Sequence, residues 1–203
     1  MNTQSKKTDF IMAIALLACA QMPQVFAESG YERANRMYFG FGVTASDLGF
    51  NETNLSLQYS SGSVSSFDHG GNAFKLFGGY QFDPLLGVEL GITNFGEIVM
   101  DNAAMGQRNI FTADSAYVAA TATQPITKNI NVIGKLGMSF WSLIDNDENN
   151  VESGQGLMYG AGIDFNLYGN NDRTLLIEWE HYNFSGVALK EANQVGASLV
   201  FRF

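Results

Sequence analysis

Three groups of residues in this 203-residue chain have types and spacings that chemistry could use. The first is His181-Tyr182-Asn183-Phe184-Ser185. Residues of equal parity share a face of an extended strand, so a base and a hydroxyl would point the same way there, the beginning of an acyl-transfer site. The second is the acidic run Asp145, Asp147, Glu148 and Glu152, which opens with the Asp-x-Asp spacing of a calcium loop. The third is a set of charges scattered among small residues: Lys75, Glu89, Lys135, Asp164, Glu178 and Arg202. Buried carboxylates of that kind can serve as general acids or bases.

Two of the three have a plainer reading. The calcium spacing fails beyond the second ligand and no glycine stands at the turn position, so 145–152 reads as a solvated acidic loop, with at most weak cation bridging to lipopolysaccharide phosphates. The scattered charges read as structural pairs, because an unpaired buried charge costs several kcal/mol. Glu89 would pair with Lys135 or Lys75, and Glu178 or Asp164 with Arg202. His69 lies in a long connection and suggests nothing by itself.

The elements that must position these residues are announced by the ending, VGASLVFRF. Val195, Ala197, Leu199, Phe201 and Phe203 fall on one side of an extended chain; Gly196, Ser198, Val200 and Arg202 fall on the other. That is a strand with lipid on one face and a packed polar lumen on the other. Seven earlier segments repeat it, at about 36–46, 72–82, 85–95, 115–124, 130–142, 156–167 and from about 173. The fourth is rich in Ala and its facing is ambiguous. A soluble barrel would hold its apolar residues inside, yet the six charges share parity with glycines while bulky apolar residues take the other face. Only a closed barrel satisfies every strand within a bilayer. The expected fold is all-β, an eight-stranded antiparallel up-and-down transmembrane β-barrel. Connections after the second, fourth and sixth strands are short and the others long, as periplasmic turns and outer loops are. The longest, about 47–71, holds an alternating Leu55-Leu57-Tyr59 run, read as a projecting hairpin, with ten strands as the alternative.

Residues 1–27 read as a secretory signal, with Lys6 and Lys7, an apolar run from Phe10 to Ala20, and Val25-Phe26-Ala27 before the cut. The run is too short for a spanning helix, which needs ~20 residues. Cys19, the one cysteine, lies inside it, and its acylation is the alternative to cleavage after Ala27. Residues 28–203 then form one barrel domain without cysteine. Losing Lys6, Lys7 and Asp9 takes the formal charge from −9 to −10, which argues against nucleic acid as a partner.

Two stretches carry a family resemblance. FGGYQFDPLLGVELG, Phe77 to Gly91, is similar to the second-to-third-strand hairpin of the OmpA transmembrane domain. QPITKNINVIGKLGMSFW, Gln124 to Trp141, resembles its fourth-to-fifth-strand turn and following strand. The resemblance implies a lumen blocked by paired charges, with Glu89 and Lys135 at the family's interior acid and base. A further interior lysine of the family falls at Thr121, so a switch between two bases for one glutamate is not expected. The resemblance also implies that Phe203, after Arg202, is the assembly signal read by barrel-insertion machinery. Full-length members continue into a peptidoglycan-binding domain; this chain stops at Phe203, and that role is not expected of it. His181 to Ser185 resembles the His-x-Ser motif of outer-membrane lipid A deacylases. However, Asn183 holds the nucleophile position and cannot attack an ester, Ser185 lies two residues too far, and no acid occupies the equivalent part of the last strand to orient His181.

These readings converge on a monomeric barrel in the outer membrane of a Gram-negative bacterium, without enzyme activity, cofactor or metal. It is expected to act structurally and through extracellular loops, in adhesion, surface protection or partner binding. The expected partners are outer-membrane lipid, lipopolysaccharide, the barrel-insertion machinery, and host or surface ligands at the loops. A narrow porin-like channel for ions or small solutes is the alternative, and a lipid A-modifying acyl hydrolase ranks third.

Overall fold

The computed structural model describes residues 35–50, 66–69, 72–102, 107–145, 150–167, 172–186 and 189–203. The proposed signal at 1–27, Cys19 and the Leu55-Leu57-Tyr59 run lie outside them. Within them the chain forms β1 (Arg36–Phe50), β2 (Ser66–His69), β3 (Asn72–Gln81), β4 (Leu86–Asn102), β5 (Gln107–Pro125), β6 (Ile130–Asp145), β7 (Asn150–Asn166), β8 (Arg173–Asn183) and β9 (Leu189–Arg202). No helix among the described residues is long and apolar enough to cross a membrane.

Every pairing is antiparallel, and the sheet closes because β1 bonds to both β3 and β9 while β4 bonds to both β3 and β5. Nine segments make eight staves. β3 pairs with Gly87–Thr93 of β4 and β2 with Ile98–Asp101, successive stretches of one strand. Between those stretches β4 carries a bulge, where Phe95 and Gly96 face the single Ala113. Gly96 adopts φ 85°, a conformation that suits glycine, and its N–H donates to Asn94 Oδ1 at 2.9 Å. The fold is therefore the eight-stranded all-β barrel, and the described residues do not form the ten-stranded alternative.

The short turns stand where the sequence puts them. Between β3 and β4, the Asp83 carboxylate accepts from the N–H groups of Leu85 and Leu86, both at 2.7 Å. The opposite ends differ: β4 runs on to Asn102, β5 begins at Gln107, β6 reaches Asp145, β7 begins at Asn150 and β9 at Leu189. What the sequence suggested were long loops after the third and fifth strands are mostly strand. Asp145 closes β6 and Glu152 belongs to β7, so the expected acidic loop is only partly a loop; Asp147 and Glu148 lie outside the described residues.

The physical reason is an inversion of the alternation partway along β1, β4, β5, β6 and β9. Below, the outward residues are apolar and exposed, as in Met37 to Val43, Leu136 to Phe140, and Leu157 with Ile163. About 9–11 residues per strand suffice to cross a bilayer. Above, the outward positions turn polar: Asp47, Asn94, Asp114, Ser142, Gln155 and Asn193. At the same height the inward positions turn apolar and buried, with Leu48, Phe95, Phe111, Leu143 and Leu189. One strand thus follows membrane-barrel patterning and then that of a water-soluble barrel.

Candidate functional site

Closing eight strands leaves an interior just wide enough for side chains, so large residues need glycines opposite them. Phe77 pairs across the ladder with Gly40, Tyr38 with Gly79, and Tyr117 with Gly91. A Cβ at Gly40, Gly79 or Gly91 would lie 2.3 to 2.5 Å from the facing ring. These three aromatics reach the axis because their partners have no side chain, and there they meet the charges.

Five charged side chains form one network at mid-height, none more than 6% exposed. Lys75 Nζ lies 2.7 Å from Glu178 Oε1 and 2.5 Å from Glu180 Oε1. Lys135 Nζ lies 2.7 Å from Glu89 Oε1, 2.6 Å from Glu178 Oε2 and 3.5 Å from Glu180 Oε1. The two ammonium groups flank the Phe77 ring at 5.0 and 4.9 Å from its centroid, within cation–π range. Hydroxyls complete the set. Tyr117 and Tyr38 donate to Glu89 at 2.7 and 3.1 Å, and Tyr182 donates to Glu180 at 2.9 Å. Gln194 donates to Glu180 at 2.6 Å and accepts from Thr93 at 3.1 Å.

The structure thus brings Lys75, Glu89, Lys135 and Glu178 together and seats Asp164 and Arg202 in a separate layer below. There Arg202 lies 3.0 Å from Asp164 and donates to Thr174 at 2.8 Å. Two alternatives left open by the sequence are closed: Lys75 pairs with Glu178 and Glu180 rather than Glu89, and Arg202 pairs with Asp164 while Glu178 sits between the two lysines. Glu180 is the network member absent from the six charges read from the sequence. Its signal was there, since it shares parity with Glu178.

Between the two layers a void of about 20 Å³ touches Glu89, Thr121 and Arg202, room for about one water. Thr121 Oγ1 is buried there without a protein hydrogen-bond partner. Above the network the lumen is filled again, this time by Phe95, Phe111, Trp141, Leu143 and Phe184. Phe95 lies edge-on to Tyr182 and Phe184 at 5.0 and 5.4 Å, and Trp141 Nε1 donates to the Phe184 carbonyl at 3.0 Å.

The hydrolase candidates sit elsewhere. His181 is half-buried on the outer wall between Tyr159 and Trp179, with Nδ1 3.0 Å from Asn193 Oδ1. Ser185 takes φ 53° and donates to Asn183 at 2.8 Å. Phe203 is 70% exposed at the rim, where its N–H donates to Met37 O at 3.0 Å. Among the described residues no group of three His, Cys, Asp or Glu could hold a metal ion.

A closed barrel of eight staves, with lipid-facing apolar residues and a charged interior, matches a family model described as the outer membrane protein beta-barrel domain over residues 11–203. The chain belongs to that family. It is 25% identical over 189 residues to outer membrane protein A of Klebsiella aerogenes, covering 90% of this chain and 50% of that protein. The chain therefore spans about half the length of this curated relative. Solved barrels share the fold. Neisserial surface protein A superposes with TM-score 0.61 at 12% identity, over 82% of this chain and 97% of that one. Ail of Yersinia pestis, solved with the heparin analogue sucrose octasulfate, gives TM-score 0.54 at 16% identity, over 84% and 99%. OprG of Pseudomonas aeruginosa gives 0.52 at 12%, over 84% and 97%. Membership in this OmpA-like family places the protein in the Gram-negative outer membrane.

Proposed function

We propose that this family member is a non-enzymatic, monomeric outer-membrane anchor whose lumen is shut and whose extended hairpins form a binding surface outside the cell. The observation that carries this reading is the double filling of the interior, ionic at mid-height and apolar above. The strands rise past the membrane belt as a packed, water-compatible barrel, which suits the rigid display of loop tips. Host or surface ligands at those tips, and lipopolysaccharide around the wall, are the partners that fit. Ail binds a polysulfated heparin analogue, but this chain has a formal charge of −9, and Asp47, Glu97 and Glu191 are exposed on its upper wall. Cationic or neutral ligands suit it better than polyanions.

The test pairs conductance with binding. The folded barrel in a planar bilayer should show no ohmic steps, while shortening the tips at 103–106 and 146–149 should abolish attachment to cells or matrix proteins. Conductance that disappears when Lys75 or Lys135 is neutralised would instead support a narrow channel. The acyl-hydrolase reading loses support from Asn183 at the nucleophile position and from an amide, Asn193, as the neighbour of His181. We also infer that Phe203 is read during insertion; its exposed ring supports this. Deleting it should lower outer-membrane levels much further than the loss of one rim contact would, and normal levels would overturn the inference.

A further inference from the structure

An open cavity of about 540 Å³ lies at the rim that carries the short turns, between the starts of β1 and β8 and the end of β9. Its apolar wall is Leu167, Phe201 and Phe203. Its polar wall is Arg36, Arg173 and Arg202 against Asp172, so three of the chain's five arginines converge on one place in an acidic protein. We propose that this cavity binds the phosphate of an anionic phospholipid of the periplasmic leaflet, with Arg173 as the principal donor.

Arg173 has the outward parity of Leu175, Ile177 and Trp179 and is exposed, directly opposite Phe201 in the β8–β9 ladder. It is a guanidinium at the foot of a lipid-facing column. At that height an arginine lays its stem along apolar surface and carries its head to the headgroup level, and its planar fork matches a phosphate better than an ammonium would. The other two arginines are held by acids: Arg36 lies 2.6 Å from Asp172 and Arg202 lies 3.0 Å from Asp164. Arg173 stands as a third guanidinium beside these two ion pairs, a planar donor suited to a phosphodiester. Phe201 and Phe203 stand where acyl chains begin. Lys128, exposed in the β5–β6 turn at the same rim, does not line the cavity and serves as the control.

The test is native mass spectrometry of the folded full-length chain in a zwitterionic detergent, titrated with dioleoylphosphatidylglycerol, dioleoylphosphatidylcholine or inorganic phosphate. Phosphatidylglycerol should be retained over phosphatidylcholine. Arg173→Gln should weaken its binding about tenfold, equivalent to ~1.4 kcal/mol, Arg173→Lys should weaken it less, and Lys128→Gln should leave it unchanged. Heat-modifiable gel migration reports whether each variant is folded, and Arg173→Lys carries the test if Arg173→Gln is not. Equal retention of the two lipids, equal losses at Arg173 and Lys128, or binding of inorganic phosphate without preference for phosphatidylglycerol would each overturn the proposal.

Discussion

At the scale of single residues the interior charges do not balance. Lys75 and Lys135 face Glu89, Glu178 and Glu180, so the roles within the network are unequal. Lys135 touches all three carboxylates, whereas Glu89 touches one lysine and two tyrosine hydroxyls. Removing a partner from a buried pair costs about 3–5 kcal/mol when the remaining charge is left uncompensated. Lys135→Met should therefore destabilise by about that amount. Glu89→Gln should cost clearly less, because Lys135 keeps Glu178 at 2.6 Å. Unfolding in detergent, followed for both singles and the double variant, should give a coupling above ~0.5 kcal/mol. Equal costs for the two singles would contradict this asymmetry. The sequence shows which face each charge takes, because parity carries it. It does not show which charges meet across the axis, because that depends on stagger and closure, and Lys75 illustrates the difference: its partners come from β8, more than a hundred residues away.

At the scale of elements the periplasmic ends are legible and the outer ends are not. A reader following apolar-out alternation stops β1 near Ser46 and the next long strand near Phe95, where Leu48 and Phe95 turn the apolar side inward. The rule that marks the strand inverts at the water surface, so the continuing strand looks like loop. The upper barrel is then a packed unit of its own. Phe95→Ala deletes a fully buried ring between Tyr182 and Phe184, a change that costs about 3–5 kcal/mol in a well-packed core. Amide exchange should speed up in β4 and β5 above Asp114 while the membrane-level amides keep their protection; uniform loss along whole strands would argue against a separate unit. A second element-scale expectation concerns the glycine–aromatic pairs. Gly40→Ala places a Cβ 2.3 Å from the Phe77 ring and should cost about 1–3 kcal/mol. Combining it with Phe77→Leu should recover part of that loss, as measured by the same detergent unfolding.

At the scale of the whole molecule the inversion sets how the barrel sits in the bilayer, and the chain's two tryptophans report on it. Trp179 faces outward at 40% exposure beside Tyr159, within the apolar belt and next to the point where His181 and Asn193 begin the polar wall. Trp141 is 4% exposed, inside the lumen, and belongs to the apolar filling above the charge network. Tryptophan is favoured at membrane interfaces because one part of the ring suits lipid and the N–H needs a partner; Trp141 instead finds its partner in the Phe184 carbonyl. Single-tryptophan variants, Trp141→Phe and Trp179→Phe, should therefore separate in vesicles of brominated lipid. The variant that keeps Trp179 should be strongly quenched, most of all by bromines near the headgroup. The variant that keeps Trp141 should be nearly untouched by any bromine depth and, because its ring is enclosed by side chains, also poorly quenched by aqueous acrylamide. Strong lipid quenching of Trp141 would place the upper filling within the bilayer and remove the water-compatible barrel on which the display reading depends.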